Sequence, residues 1–349
     1  MSGTKIDKAA VRSFVNNNYE YSDLTDNLLI IPNVWGLAQQ LGIFSSESTN
    51  MESITLEEIT KNFGIMSDVH RGARHQVSRD YDRKMRAFAI PHFTLDDAIT
   101  PRDIQGKRAF GVDALETLAA VRARKLERIR ASHAATIESA RMYTITTGRA
   151  YAPNGTVSYD WYAEFGQTRQ VVSFALGTAT TDLMAKIELV FASMQDKAMT
   201  GEIQGEIYAI CSPEFFSALI AHPTMKTLYL AYQQAPNILN SRLRAAGYDA
   251  RYRSFVFGDI TFIEYRGTDV NGNRYIPAGD AYFLPSNTGD SFTTYFAPAF
   301  KFGFENTQGQ ESYAFEFADP RGEEILLESE TNFLSVLRRP QLIIRGTVA

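Results

Sequence analysis

Asp68, His70 and His75 stand close together and are of the types that hold a transition metal. Their spacing matches no ligand motif, and Arg71 and Arg74 lie between them, where they would oppose a cation. The group reads as the solvated tip of a hairpin. A second candidate is "DVNGNRYIPAGD", in which Asp269, Asn271, Asn273 and Asp280 occupy positions 1, 3, 5 and 12 of a calcium loop. Position 6, where such a loop needs glycine, is Arg274, the last ligand is not Glu, and the flanks read as strands, so the stretch is taken as a hairpin turn. Cys211 and Ser212 stand at a strand-to-helix junction, a place where nucleophiles are displayed. Ser212 before Pro213 is also the pattern of a helix N-cap followed by proline at the first helical position, and His222 precedes a proline at the other end. The chain contains no phosphate-binding G-x-x-x-x-G-K-[ST] loop, no G-x-G-x-x-G and no paired-cysteine metal site. The expectation is a protein that is not an enzyme and needs no cofactor.

What remains is charge. Arg71, Arg74, Arg79, Arg83, Lys84 and Arg86 face only Asp80 and Asp82 in the segment 70–86. Further on, Arg122, Arg124, Lys125, Arg128 and Arg130 crowd one stretch of helix. Against them, the segment 311–330 carries Glu311, Glu316, Asp319, Glu323, Glu324, Glu328 and Glu330 with Arg321 as its one cation. Either set could be a plain solvated face. The basic one, however, sits on a structure that cannot cover itself.

That structure is a long hairpin. "MESITLEEITKNFGIM" and "RKMRAFAIPHFTL" read as strands on either side of the charged tip, and a two-stranded hairpin alone is marginally stable. Phe88, Ile90 and Phe93 on its returning limb have no evident partner nearby in sequence. Next comes the strongest helix, from Val112 to about Thr146, with Asp113 and Glu116 as capping residues and Gly148 at the C-terminal cap position. Its apolar stripe is narrow (Leu115, Leu118, Leu126, Ile129, Ala134, Ile137), and its length of roughly 50 Å exceeds the width of a small domain. Asn154-Gly155 between aromatic runs signals another hairpin.

The rest alternates strands and helices, then returns to strands, which predicts an α+β fold with no repeat and no flexible linker. The boundaries expected are an N-terminal arm at 1–50, an extended loop at 51–108, a long helix with a hairpin at 109–168, a mixed domain at 169–295, and strands at 296–349 returning to the earlier domain. With 349 residues, 44% hydrophobic content and a net charge of −5, the chain can bury a core and is no general nucleic-acid binder. The single cysteine, the absence of a signal-peptide pattern at the start and the interrupted apolar run 28–44 predict a soluble intracellular protein without a membrane span.

The order of parts resembles the lambda-type phage major capsid proteins, the E family, with the HK97-like fold. The stretch "CSPEFFSALIAHPTMKTLYL" looks like the family's strand-to-helix segment in its axial domain. "TTYFAPAFKFGFENTQGQESYAFEFADPRGEEILLESETNFLSVLRRPQLIIRG" looks like its C-terminal region, with a tyrosine-aromatic-Ala-Pro stretch, an Asn-Thr-x-Gly turn and a closing Pro-x-x-Ile. The resemblance spans nearly the whole chain, although the first fifty residues match only in placement. It implies an arm, an extended loop, a spine helix, a peripheral domain and an axial domain.

It also implies self-assembly, as pentamers and hexamers, into the icosahedral shell around a tailed-phage genome. Scaffolding, portal and decoration proteins would be partners, double-stranded DNA would be enclosed without sequence recognition, and the protein would reside in the virion after assembly in the host cytoplasm. On this reading the extended loop lies over a neighbouring subunit, the basic residues of loop and spine helix meet the carboxylates of 311–330 on adjacent copies, and Phe88, Ile90 and Phe93 are covered by a neighbour. A nanocompartment shell that packages an enzyme uses the same fold, and neighbouring genes distinguish the two. A metal-dependent enzyme built on Asp68, His70 and His75 is the remote alternative.

Overall fold

A computed structural model describes residues 21–23, 36–60, 82–105, 117–198, 205–227, 252–268 and 272–349. Its strands, in chain order, are β1 (Tyr21–Asp23), β2 (Ser45–Ser48), β3 (Ser53–Thr60), β4 (Asp82–Ala89), β5 (His92–Ile99), β6 (Gln170–Ser173), β7 (Ile207–Cys211), β8 (Arg253–Phe257), β9 (Ile260–Glu264), β10 (Asp280–Pro285), β11 (Phe292–Phe296), β12 (Tyr313–Ala318), β13 (Ile325–Leu337) and β14 (Ile344–Thr347). The helices are α1 (Leu37–Gln40), α2 (Leu118–Thr147), α3 (Trp161–Glu164), α4 (Leu183–Lys197) and α5 (Pro213–Ala221). Among the described residues these form two six-stranded sheets and one two-stranded sheet, the α+β mixture expected.

The first sheet runs β1-β12-β13-β11-β2, with β5 also on β13. The strand β13 is its axis. Residues 325–330 pair with β12, 325–332 with β5, and 333–337 with β11, all antiparallel. The helix α2 lies across this sheet, where Val121, Leu126 and Ile129 pack with Ile99, Ala314 and Leu327. Thr117 caps it by accepting from the N–H of Ala120, and Gly148 closes it at φ 75° in the left-handed region. A side chain at Gly148 would meet the Tyr162 ring at 2.3 Å, so glycine is required there twice over. The predicted C-terminus thus holds, but the helix begins at Leu118 with Thr117 as its cap and not at Val112 with Asp113, which like Glu116 lies outside the described residues.

The second sheet runs β6-β14-β10-β7-β9-β8. Its alternation is two-sided. Ala209, Cys211, Phe262, Ala281 and Phe283 face one cluster under α4 and α5, while Ile210, Ile263, Tyr282 and Leu284 face the cluster shared with Leu334, Val336 and Phe292 of the first sheet. Ser212 is the N-cap the sequence predicts, its Oγ accepting from the N–H of Phe215 at 3.2 Å and of Gly279 at 3.0 Å. At Asn154-Gly155 the chain turns, with Gly155 at φ 69°, but only the isolated bridge between Arg149 and Asp160 joins the limbs.

Three expectations change. The run "RKMRAFAIPHFTL" is two strands, because Pro91 interrupts it and only β4 continues the hairpin with β3; β5 turns into the first sheet. Residues 36–50 are not arm: Leu37, Ala38, Leu41, Ile43 and Phe44 are buried in the shared core and β2 pairs in parallel with β11. The last strand, β14, joins the second sheet and not the first, pairing with β10 and β6.

Gly309 shows how tightly the Asn306–Gly309 turn is drawn. Asn306 is left-handed at φ 56°, and a Cβ at Gly309 would lie 2.1 Å from the Phe296 carbonyl oxygen. Since a backbone oxygen cannot swing aside, Gly309→Ala is expected to lower stability by about 1–3 kcal/mol, the range for overpacking, as read by chemical denaturation.

Candidate functional site

The contact candidates fall into charge clusters and the apolar residues Phe88, Ile90 and Phe93. Arg71, Arg74 and Arg79, like Asp68, His70 and His75, lie outside the described residues. Arg83 takes its place in β4 opposite Ile59, and Lys84, which is exposed, lies opposite Glu58. Arg86 is engaged within the chain: its Nη1 is 3.3 Å from Glu164 Oε2, and its guanidinium lies over the Phe165 ring.

The apolar residues of the returning limb are covered by their own chain, contrary to expectation. Phe88 is 2% exposed, with the rings of Tyr159 and Trp161 edge-on at 5.0 and 5.2 Å. Ile90 packs against the shared core, and Phe93 stacks on Phe333 at 4.9 Å and on Tyr151 at 6.1 Å. The cause is the loop 149–166. It folds back over the root of the hairpin, and the Tyr159 hydroxyl accepts from the N–H of Ala89 at 3.0 Å. Further along β4, Lys84 and Met85 are exposed.

Two cations of the basic helix, Arg122 and Lys125, are likewise engaged within the chain. Arg122 meets Glu316 at 2.5 Å, and Lys125 Nζ donates to Asp97 at 2.8 Å and to the Ala98 carbonyl at 2.7 Å. Arg124 and Arg128 are exposed and Arg130 is half-buried. Among the carboxylates, Glu328 pairs with Lys301, and the buried Glu330 accepts from the N–H of Phe300 at 3.1 and 3.2 Å. Glu323 and Glu324 are exposed in the β12–β13 turn. Placing β5 and α2 beside β13 therefore neutralises inside one chain several charges that sequence alone assigns to a neighbour.

Two buried polar networks went unnoticed in the sequence. Glu138, mid-way along α2, accepts from the N–H of Ala38 at 3.1 Å and from the Tyr265 hydroxyl at 3.4 Å. Burial pushes its carboxyl up, opposed by the Ala38 N–H and the Arg141 guanidinium. Arg141 in turn donates to Thr294 and lies over Phe44. The buried His133 bridges Ser312 and Ser329, and burial lowers it to about 4. A polar residue at helical spacing within an apolar stripe was the available signal for both.

Among the described residues, the groups of chemical type singled out in the sequence make structural contacts. Asp280, the last residue of the calcium-like stretch, is held bidentately by Arg345 at 2.9 and 3.1 Å. His222 is a structural residue, its Nε2 3.1 Å from the Thr178 carbonyl and its Nδ1 accepting from the N–H of Thr224. Burial raises the Cys211 thiol well above its usual range. Among the described residues no group of three His, Cys, Asp or Glu could hold a metal, and no helix is long and apolar enough to cross a membrane.

Comparison with known proteins adds what geometry alone cannot. Residues 20–348 match the family model described as phage major capsid protein E. The chain is 59% identical to the major capsid protein of Pseudomonas phage KPP10, over 96% of this chain and 98% of that protein. It is 30% identical to the major capsid protein of Salmonella phage Felix O1, over 93% and 94%. Among solved structures it is similar to a subunit of the bacteriophage PhiM1 mature capsid, with a TM-score of 0.52 at 12% identity over 90% of this chain and 87% of that one. The capsid of cyanophage P-SCSP1u gives a TM-score of 0.50 at 12% identity over 91% and 89%. The fold is thus the HK97-like one.

The lowered His133 has a consequence for stability. Between pH 6.5 and about 4 the unfolded chain binds a proton at this residue that the folded chain refuses. Stability is therefore highest above 6.5 and falls as the pH drops to 4, by at most about 3 kcal/mol from this group. His133→Gln is expected to flatten that part of the profile in denaturation curves measured at several pH values.

Proposed function

Because the chain belongs to the phage major capsid protein E family, we propose that many copies of it, as pentamers and hexamers, close the icosahedral shell that encloses a tailed-phage genome. The observation that carries this beyond family membership is the β3–β4 hairpin. It is two strands with no third among the described residues, held to the rest of the chain through Phe88, Tyr159 and Trp161 at its root and through Arg86 on Glu164 and Phe165. A ribbon of that kind is marginal in water on its own, so its outer part is for a neighbouring copy.

In this assignment the first sheet with α2 is the peripheral domain, α2 is the spine helix, and the second sheet with α4 and α5 is the axial domain. The role is structural, with no catalytic activity and no cofactor. Scaffolding and portal proteins guide assembly in the host cytoplasm, a decoration protein is a further partner, DNA is enclosed without sequence recognition, and the virion is the final location. The nanocompartment alternative is disfavoured because the relatives described above are phage capsid proteins.

The residues left for contact between copies are fewer than the sequence suggests. Arg71, Arg74 and Arg79 in the segment between β3 and β4, with Lys84 and Arg128, are the basic set, and Glu323 and Glu324 are the exposed acids that complement it. Exposed ion pairs contribute only ~0 to 1 kcal/mol each, so register comes from many of them together with apolar burial. Opposed charge patterns then discriminate against wrong docking while leaving misplaced subunits free to depart.

Expressed with its scaffold, the protein is expected to form shells visible by negative-stain microscopy; a monomer under every assembly condition would count against the proposal. The Arg71→Glu, Arg74→Glu, Arg79→Glu triple variant is expected to keep the monomer's circular dichroism and to lower shell yield in sedimentation. Undiminished yield would make the tip an ordinary solvated surface.

A further inference from the structure

Beside the root of the hairpin lies a groove of about 920 Å³, walled by Asn50–Glu52, Ile90, Pro298, Ala299 and the loop 300–306. Its feature is apolar surface turned outward. Phe300 is 77% exposed, Phe302 66% and Met51 61%. Isolated exposed apolar residues are ordinary; three around one groove are a patch.

The exposure does not come from a slack loop. The Phe300 N–H is held by both oxygens of the buried Glu330, and the His92 ring stands edge-on to its phenyl ring at 6.3 Å. Lys301 is tied to Glu328 and lies over the rings of Phe315 and Phe317. Past Gly303, at φ 90°, Phe304 is buried against Tyr313 and Phe315. A buried carboxylate, a salt bridge and an aromatic anchor thus hold two phenyl rings out in water, which lowers the ordering cost of any partner that meets them.

We propose that this patch is a knob-and-groove contact between copies of the chain, in which Phe300 and Phe302 of one subunit enter the groove beside Met51 of another. This rests on the shell reading and adds a particular contact to it. The occupant follows from charge and area. Nucleic acid is excluded by the rim, which carries Glu52 and Glu305, whose Lys301 is engaged by Glu328 and whose His92 ring is held by Glu330 and Asn332. The three side chains offer roughly 400 Å² of apolar surface at ordinary side-chain areas, half of the about 800 Å² per partner of a stable pairwise interface. Such a contact is too small to hold two free subunits and adds to the other contacts of subunits already held in a shell. Phe300 and Phe302 themselves wall the groove, so two copies meet through the same patch, an isologous contact across a two-fold axis between subunits of one shell.

The test compares the unsubstituted chain, F300S/F302S, and a mixture of the single variants M51C and F302C, each assembled with scaffold. The buried Cys211 is the chain's one cysteine and does not interfere. F300S/F302S is expected to match the parent in circular dichroism and unfolding midpoint as a monomer and to lose at least tenfold in shell yield. The mixture, mildly oxidised, is expected to give a dimer between Met51→Cys and Phe302→Cys chains on non-reducing gels from shells and none from monomers. Parental shell yield together with no such dimer overturns the proposal. So does normal assembly with loss of decoration-protein binding, which would give the patch to that partner. If F300S/F302S misfolds, presence or absence of the dimer decides. Failure of the unsubstituted chain to assemble would instead sink the shell reading itself.

Discussion

The hydrogen bonds of β13 constrain most of the molecule. Over thirteen residues its backbone must pair with β12, β5 and β11, so these strands and the loops that lead to them have little freedom of placement. Pairing with β5 draws the chain away from the hairpin at Pro91. That fixes where the projecting ribbon begins. Pairing with β12 sets the turn that carries Glu323 and Glu324, and pairing with β11 brings the second sheet onto the shared core through Leu334 and Val336. The acidic side chains of β13 are distributed by the same geometry, Glu328 to Lys301 and Glu330 to the backbone of Phe300.

The buried ionisable groups follow one physical rule. A charge removed from water persists only where donors or acceptors are held in place around it. Glu138 has the Ala38 N–H, Tyr265 and Arg141; Glu264 has Arg253 at 3.1 Å and Arg266 at 2.5 Å; Asp280 has Arg345. Glu138 and Asp280 join segments far apart in the chain, the first fixing Ala38 to α2 and to Tyr265 just past β9. Their net contribution to stability is small, but removing one partner leaves the other stranded, so they act on specificity of arrangement more than on its strength. Surface pairs such as Arg274 with Glu214 carry no such constraint.

Much of the fold was legible because its signals are local. Gly148 ends α2, Ser212-Pro213 begins α5, and Asn306 to Gly309 turns tightly, each for a reason visible in a few neighbouring residues: a left-handed backbone, a side-chain acceptor, a missing Cβ. The alternating runs that became β7, β9, β12 and β13 were equally plain. Site residues were legible only as types. Arg122, Lys125, Glu316 and Glu328 are charged and clustered in sequence, but whether they meet one another or another copy depends on where β5 and α2 lie relative to β13.

The exposed phenylalanines show the limit most clearly. In the sequence, "FKFGF" from Phe300 to Phe304 gives no indication which rings are buried, since all three are flanked by lysine, glycine or acid. Composition, periodicity and the order of parts determined the α+β class, the long helix, the projecting hairpin and the resemblance to a shell protein. Only the tertiary structure decided that Phe304 belongs to the core while Phe300 and Phe302 face out, that the root of the hairpin is covered by its own chain, and that residues 36–50 are core. The physical reason is that burial is a property of pairs of surfaces, and the surfaces that settle these cases, Glu330, Tyr159 and Glu138, lie 30, 71 and 100 residues away from Phe300, Phe88 and Ala38.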